Sequence, residues 1–181
     1  MRAPDHSADF AQLALPLLEP LYNFAHWLTQ SRDEAEDLVQ ETFAKALKGF
    51  GSFQAGTNFR AWMFRILRNT FLTSRTGLKT MVTLDDAEDA QLLPAVGQTP
   101  ETFALGREDQ ELVRAAIEQL PIQYREAVLL CDLEGMSYTD IAGVLGIPVG
   151  TVMSRIARAR RAMRQFLASA WESPGMRRKE R

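Results

Sequence analysis

Apolar residues recur along this chain at the three-and-four spacing of helices with one buried face. Between residues 9 and 30 they fall at Phe10, Leu13, Leu17, Leu18, Leu21, Phe24, Ala25 and Leu28. That pattern predicts one or two helices, with Pro16 and Pro20 limiting where the longer one starts. Ser31, with Glu34 three residues on, forms a capping box that opens a helix over 32–48. This helix is expected to bury Ala35, Leu38, Val39, Phe43, Ala46 and Leu47 before Gly49 and Gly51 end it. After the loop FGSFQAGT, Thr57 or Asn58 caps a further helix, whose core stripe is Phe59, Trp62, Met63, Ile66 and Leu67.

The periodicity then fades. From 76 to 102 the chain is punctuated by Gly77, Pro94, Gly97 and Pro100 and made acidic by Asp85, Asp86, Glu88 and Asp89, a linker composition. Helical spacing returns at Leu105, Leu112, Ala116, Ile117 and Leu120, and a second helix starts at Pro121 and closes at Gly135. Next come Ser137 as a cap with Asp140, an apolar face at Ile141, Ala142 and Leu145, Gly146 as a helix stop and Pro148 as a helix start. The following helix carries Val152, Ile156, Met163 and Phe166 on one side and Arg155, Arg158, Arg160, Arg161 and Arg164 elsewhere. Two helices joined by a short turn, the second cationic, form the helix-turn-helix that lays a recognition helix in the DNA major groove.

The predicted fold class is therefore all-α: two small helical domains joined by a flexible linker, the C-terminal one a helix-turn-helix. The divisions fall at 1–76, 77–102, 103–170 and a basic tail over 171–181.

Bulk composition adds constraints. The 181 residues are 46% hydrophobic and 24% charged, enough for packed cores, and the net charge is −2. No global positive field draws the chain to nucleic acid, so DNA binding must come from locally concentrated arginine balanced by acid elsewhere. Cys131, the single cysteine, rules out an internal disulfide and fits a reducing cytoplasm. Its apolar neighbours suggest a small buried hydrophobe. His6 and His26 are far apart and lack companion ligands, so no metal or other cofactor is expected. The N-terminus lacks the apolar core of a signal peptide, and no stretch reaches membrane-spanning length, which predicts a cytoplasmic protein.

Two surfaces stand out as candidate chemistry. Acids near a helix start complement the helix dipole, which accounts for Asp33 and Glu34 and extends to Glu36. Asp37 and Glu41 lie deeper on the same face as Glu34, which suggests an acidic surface for a basic partner. On the helix beginning near Asn58, a second face alternates Arg60, Phe64, Arg68, Phe71 and Arg75, flanked by Arg65 and Asn69. Rings stack on unpaired bases and guanidiniums follow phosphates, so an exposed face of this kind predicts contact with parted strands. Packing of Phe64 and Phe71 on a neighbouring helix is the alternative for each ring taken singly.

The segments DEAEDLVQETFAKAL, GTNFRAWMFRILRN and LPIQYREAVLLCDLEGMSYTDIAGVLGIPVGTVMSRIARARRAMR, in this order and with this gap, resemble the sigma-70 family of bacterial transcription initiation factors. The resemblance is to its small extracytoplasmic-function (ECF) group, and it covers about 21–75 and 111–167. It implies that the helix over 33–47 docks on the clamp helices of the RNA polymerase β′ subunit through Asp37, Gln40 and Glu41, with the β subunit also in contact. It implies that the loop around Phe53 and the face bearing Phe64, Arg65, Arg68 and Asn69 open and read the promoter −10 element. The helix from Val149 would read the −35 element through Thr151, Met153, Ser154, Arg155 and Arg158. Met153 stands where some members carry arginine and Ala157 where some carry an aromatic residue. Methionine cannot make a bidentate contact to guanine, so the preferred −35 sequence is not inherited from them.

The expected function is a non-enzymatic initiation factor that brings core RNA polymerase to promoter DNA. No glycine-rich phosphate loop appears, so strand opening would draw on binding energy for the single-stranded state. An anti-sigma factor is the expected regulatory partner. The alternative is a stand-alone helix-turn-helix regulator that dimerises and needs no polymerase, a reading that leaves the acidic and Arg/Phe helices idle.

Overall fold

A computed structural model describes residues 6–54, 56–76 and 107–172, and every regular element among them is helical. The expected linker over 77–102 and most of the basic tail lie outside the described residues. The first unit holds α1 (His6–Ala14), α2 (Leu18–Thr29), α3 (Arg32–Gly49) and α4 (Phe59–Thr76). A 3₁₀ turn at Leu15–Leu17, built on Pro16, separates α1 from α2, and a second at Phe50–Ser52 follows α3. The second unit holds α5 (Arg107–Glu118), α6 (Ile122–Val128), α7 (Tyr138–Leu145) and α8 (Val149–Glu172). Between α6 and α7 the chain makes a π turn, Leu129–Leu133, and then reverses at Gly135, whose φ is +61°.

Local chemistry sets these boundaries. Ser31 Oγ accepts from the Glu34 N–H at 3.4 Å, and Asn58 Oδ1 accepts from the Ala61 N–H at 3.1 Å, so Asn58 rather than Thr57 caps α4. Gln30 ends α2 in the left-handed conformation at φ 56°. No single helix among the described residues is long and apolar enough to cross a membrane.

The first core gathers Leu21, Phe24, Ala25 and Leu28 of α2, Ala35, Leu38 and Val39 of α3, and Met63, Phe64 and Leu67 of α4. Leu47 was expected inside but is 47% exposed. The core does not stop at the unit boundary, because α7 packs along α4 and brings Ile141, Val144 and Leu145 into the same apolar cluster. Three arginines reinforce this junction. Arg68 of α4 donates from Nε and Nη2 to the two carboxylate oxygens of Glu126 at 2.8 and 3.0 Å, and from Nη1 to the Leu145 carbonyl at 3.0 Å. Arg60 donates to the Glu134 carbonyl at 2.9 Å and pairs with its carboxylate. Arg125 of α6 reaches the Trp27 carbonyl of α2 at 3.1 Å.

This junction corrects the expected Arg/Phe surface. Phe64 is wholly buried, its ring 5.3 Å from that of Phe24, and Phe71 is 6% exposed. The second unit covers one side of α4 while α2 and α3 cover the other, so Phe64 and Phe71 are interior while Arg75 at the end of the stripe stays exposed.

Candidate nucleic-acid and polymerase interfaces

In the second unit, Ser137 Oγ accepts from the Asp140 N–H at 3.1 Å and donates to its carboxylate at 2.7 Å. Gly146 closes α7 at φ +67°, and the N–H groups of Gly146 and Ile147 both reach the Ala142 carbonyl. Pro148 then supplies its carbonyl to the Val152 N–H at 3.1 Å. The chain turns by 99° between α7 and α8, within the 90–120° expected of a helix-turn-helix pair. Ile141, Val144, Leu145, Val152 and Ile156 are buried in the apolar cluster that α7 and α8 both line.

The outward part of α8 presents Met153 and Ser154 as exposed groups, with Thr151 and Arg158 half-buried. Arg158 donates to the Tyr124 hydroxyl at 3.4 Å. Arg160 pairs with Asp132, and Arg161 and Arg164 are exposed. Arg155 differs from the expected groove-facing group. It is buried and lies 3.8 Å from Glu126. Helical spacing explains this, because Arg155 falls between Val152 and Ala159 on the face that packs inward.

In the first unit, Asp37, Gln40 and Glu41 are all exposed along α3. Glu41 pairs with Lys45 at 2.7 Å, and Glu34 lies 3.6 Å from Arg75. Phe53 is half-buried in an aromatic cluster, stacked on Phe50 and set edge-on against Phe59 at 5.2 Å. Arg65 and Asn69 are exposed, and Asn69 lines a shallow 260 Å³ groove with Lys45, Ile66, Thr70 and Thr73. Lys45 Nζ donates to Thr70 Oγ1 across this groove at 3.3 Å. Of the expected −10 residues, then, Phe53, Arg65 and Asn69 retain solvent contact, Phe64 is core, and Arg68 is held at the unit junction.

The sequence reading passed over Glu126, Glu134 and Lys45. The signal for Glu126 was available: a charged residue set in the apolar run of α6 must either find a cation or break the core. Burial pushes the Glu134 carboxyl above its ordinary range against the opposing pull of Arg60. Burial likewise raises the Cys131 thiol to about 11, although the side chain is only half-buried, with Arg160 beside it. Among the described residues no cluster of three or more His, Cys, Asp or Glu could hold a metal ion.

A right-angled helix pair with a cationic second member, coupled to a helical unit with an exposed acidic helix, defines a DNA-binding protein of transcription. Comparison with known proteins agrees with this. The family model described as Sigma-70 region 2 matches residues 13–79, and that described as Sigma-70, region 4 matches residues 110–163. The chain is 39% identical over 150 residues to the ECF RNA polymerase sigma factor SigE of Mycolicibacterium smegmatis, covering 82% of this chain and 57% of that one. It is 38% identical over 167 residues to the ECF sigma factor EcfG of Rhodopseudomonas palustris, covering 92% and 88%. Among solved structures, the sigma factor RpoE of Bartonella quintana, in complex with the anti-sigma factor NepR, superposes with a TM-score of 0.69 at 34% identity, covering 88% of this chain and 97% of that one. The chain belongs to the sigma-70 family of RNA polymerase sigma factors, in its ECF group. Its function is that of a transcription initiation factor that directs polymerase to promoters. The match to region 2 sets aside the stand-alone regulator reading, which gave the first unit no task.

Proposed function

We propose that the two units divide initiation between polymerase docking with strand capture and duplex recognition. The acidic face of α3, through Asp37, Gln40 and Glu41, docks on the basic clamp helices of polymerase β′, and the β subunit supports the second unit. The α8 surface anchors the −35 duplex through Thr151, Met153, Ser154 and Arg158, with phosphate neutralisation by the outer arginines supplying affinity and base edges supplying choice. Met153, 46% exposed beside Ser154, favours apolar contact with a thymine methyl over a guanine edge.

On the first unit, Phe53, Arg65 and Asn69 form the −10 surface, and Arg68 joins them when the junction parts. Phe64 supports this surface from below as a packing residue. The chain works in the cytoplasm, lends no catalytic group of its own, and is held by an anti-sigma factor, as the Bartonella quintana protein is held by NepR. The single observation that carries this reading is the coexistence, in one chain, of the 99° helix pair and a separately exposed acidic helix. Purified chain added to core polymerase should yield promoter-specific run-off transcripts with no nucleotide beyond the RNA substrates. A protein that binds duplex tightly alone and leaves core polymerase silent would refute it.

A further inference from the structure

The junction between the units occupies an arginine that the −10 surface needs. Glu126 on α6 is almost fully buried and takes two hydrogen bonds from Arg68 of α4. The same carboxylate lies 3.8 Å from Arg155 of α8. Arg68 is fixed further by the Leu145 carbonyl at the end of α7. Glu126 and Arg155 belong to the same unit, so of these two arginines Arg68 is the one held across the junction. A carboxylate held by the guanidinium fork offers the geometry that a phosphate would offer, so Arg68 cannot serve both together.

Distance gives a second, independent argument. Elements centred near −35 and −10 lie about 25 base pairs apart, about 85 Å of duplex at about 3.4 Å per pair. With α7 packed on α4, the units cannot reach both. The junction must part before the promoter is engaged.

We infer that Glu126 is an intramolecular latch, which occupies Arg68 in the free chain and keeps the second unit folded over α4 until polymerase and promoter draw the units apart. This rests on the assignment of α4 and α8 to the two promoter elements. The Arg60–Glu134 pair closes the margin of the same face, outside the proposed DNA-binding residues. Burial of a paired carboxylate contributes little net energy when intact, yet loss of one partner strands the others in a dry setting. A latch of this design therefore has low holding strength and responds sharply to a competing anion.

Two full-length variants test it, Glu126→Gln and Glu134→Lys, the latter placing a second cation against Arg60. Small-angle scattering should show a larger radius of gyration for both than for the parent chain. If only the opened form assembles, the association rate with core polymerase rises with its population, about tenfold or more. Unchanged radius and unchanged rate in both variants would overturn the latch, and so would expansion without faster assembly. Should Glu126→Gln lose helical content, Glu134→Lys alone decides. If neither the parent chain nor either variant assembles with core polymerase, the initiation reading falls, while the scattering comparison still judges the latch.

Discussion

Replacing Phe64 by alanine should lower stability by about 3–5 kcal/mol, because the ring is wholly buried against Phe24 and its removal leaves a cavity in the first core. Urea unfolding of the variant measures this directly, and a loss below about 1 kcal/mol would show that the ring spends its time at the surface instead. The arginines that alternate with it explain why a surface was expected. Arg60 lies 5.7 Å over the Phe64 ring and Arg75 lies 5.2 Å over Phe71, so these cations partner the rings within the protein. Arg155 teaches the same lesson on α8. Its charge suggested DNA, but its register between Val152 and Ala159 is that of a core position, and Glu126 neutralises it there. Side-chain type announced the chemistry at both places, and helical register decided where that chemistry was used.

Within the helix-turn-helix, almost every boundary was legible, because each was written in a single residue with one physical task. Ser137 caps α7, Gly146 ends it with positive φ, and α8 begins directly after Pro148. Gly146 makes the strongest test. A Cβ there would meet no atom within 4 Å, so the cost of Gly146→Ala is purely that of holding an L-residue in the left-handed region, about 1–2 kcal/mol. Gly146→Asn should recover part of that loss, since asparagine tolerates this conformation, and thermal melts of the two variants should rank in that order. The π turn at Leu129–Leu133 was not legible, and the sequence read as one helix running from Pro121 to Gly135. Hydrophobic spacing does not distinguish a five-residue π turn from ordinary helix. Nor could it say what covers the second stripe of α4. Periodicity marks a buried face, whereas the identity of the covering elements, here α7 together with α2, whose Phe24 meets Phe64, is a tertiary fact.

The charge of the whole chain, −2, conceals a strong separation, with exposed acids along α3 and exposed arginines along the outer face of α8. Such a molecule is steered by its local fields, since charges more than a Debye length apart, about 8 Å in physiological salt, act nearly independently. Reversal at the acidic face should therefore slow association with core polymerase while leaving the −35 grip intact. Glu41 is the less clean choice, because it pairs with Lys45 at 2.7 Å and Glu41→Lys would set two cations four residues apart on the helix. That adds a few tenths of a kcal/mol of helix destabilisation to any docking effect. Asp37 is exposed one turn earlier on the same face, and Asp37→Lys tests docking with less disturbance of α3. Its holoenzyme association rate should fall about tenfold or more at low salt, and the gap should narrow as salt rises, the behaviour of a steering charge. Melting temperature should remain within about 1–2 °C of the parent chain, as expected for an exposed substitution. An Asp37→Lys protein that assembles at the parental rate across the salt series would place the polymerase-docking surface somewhere other than α3.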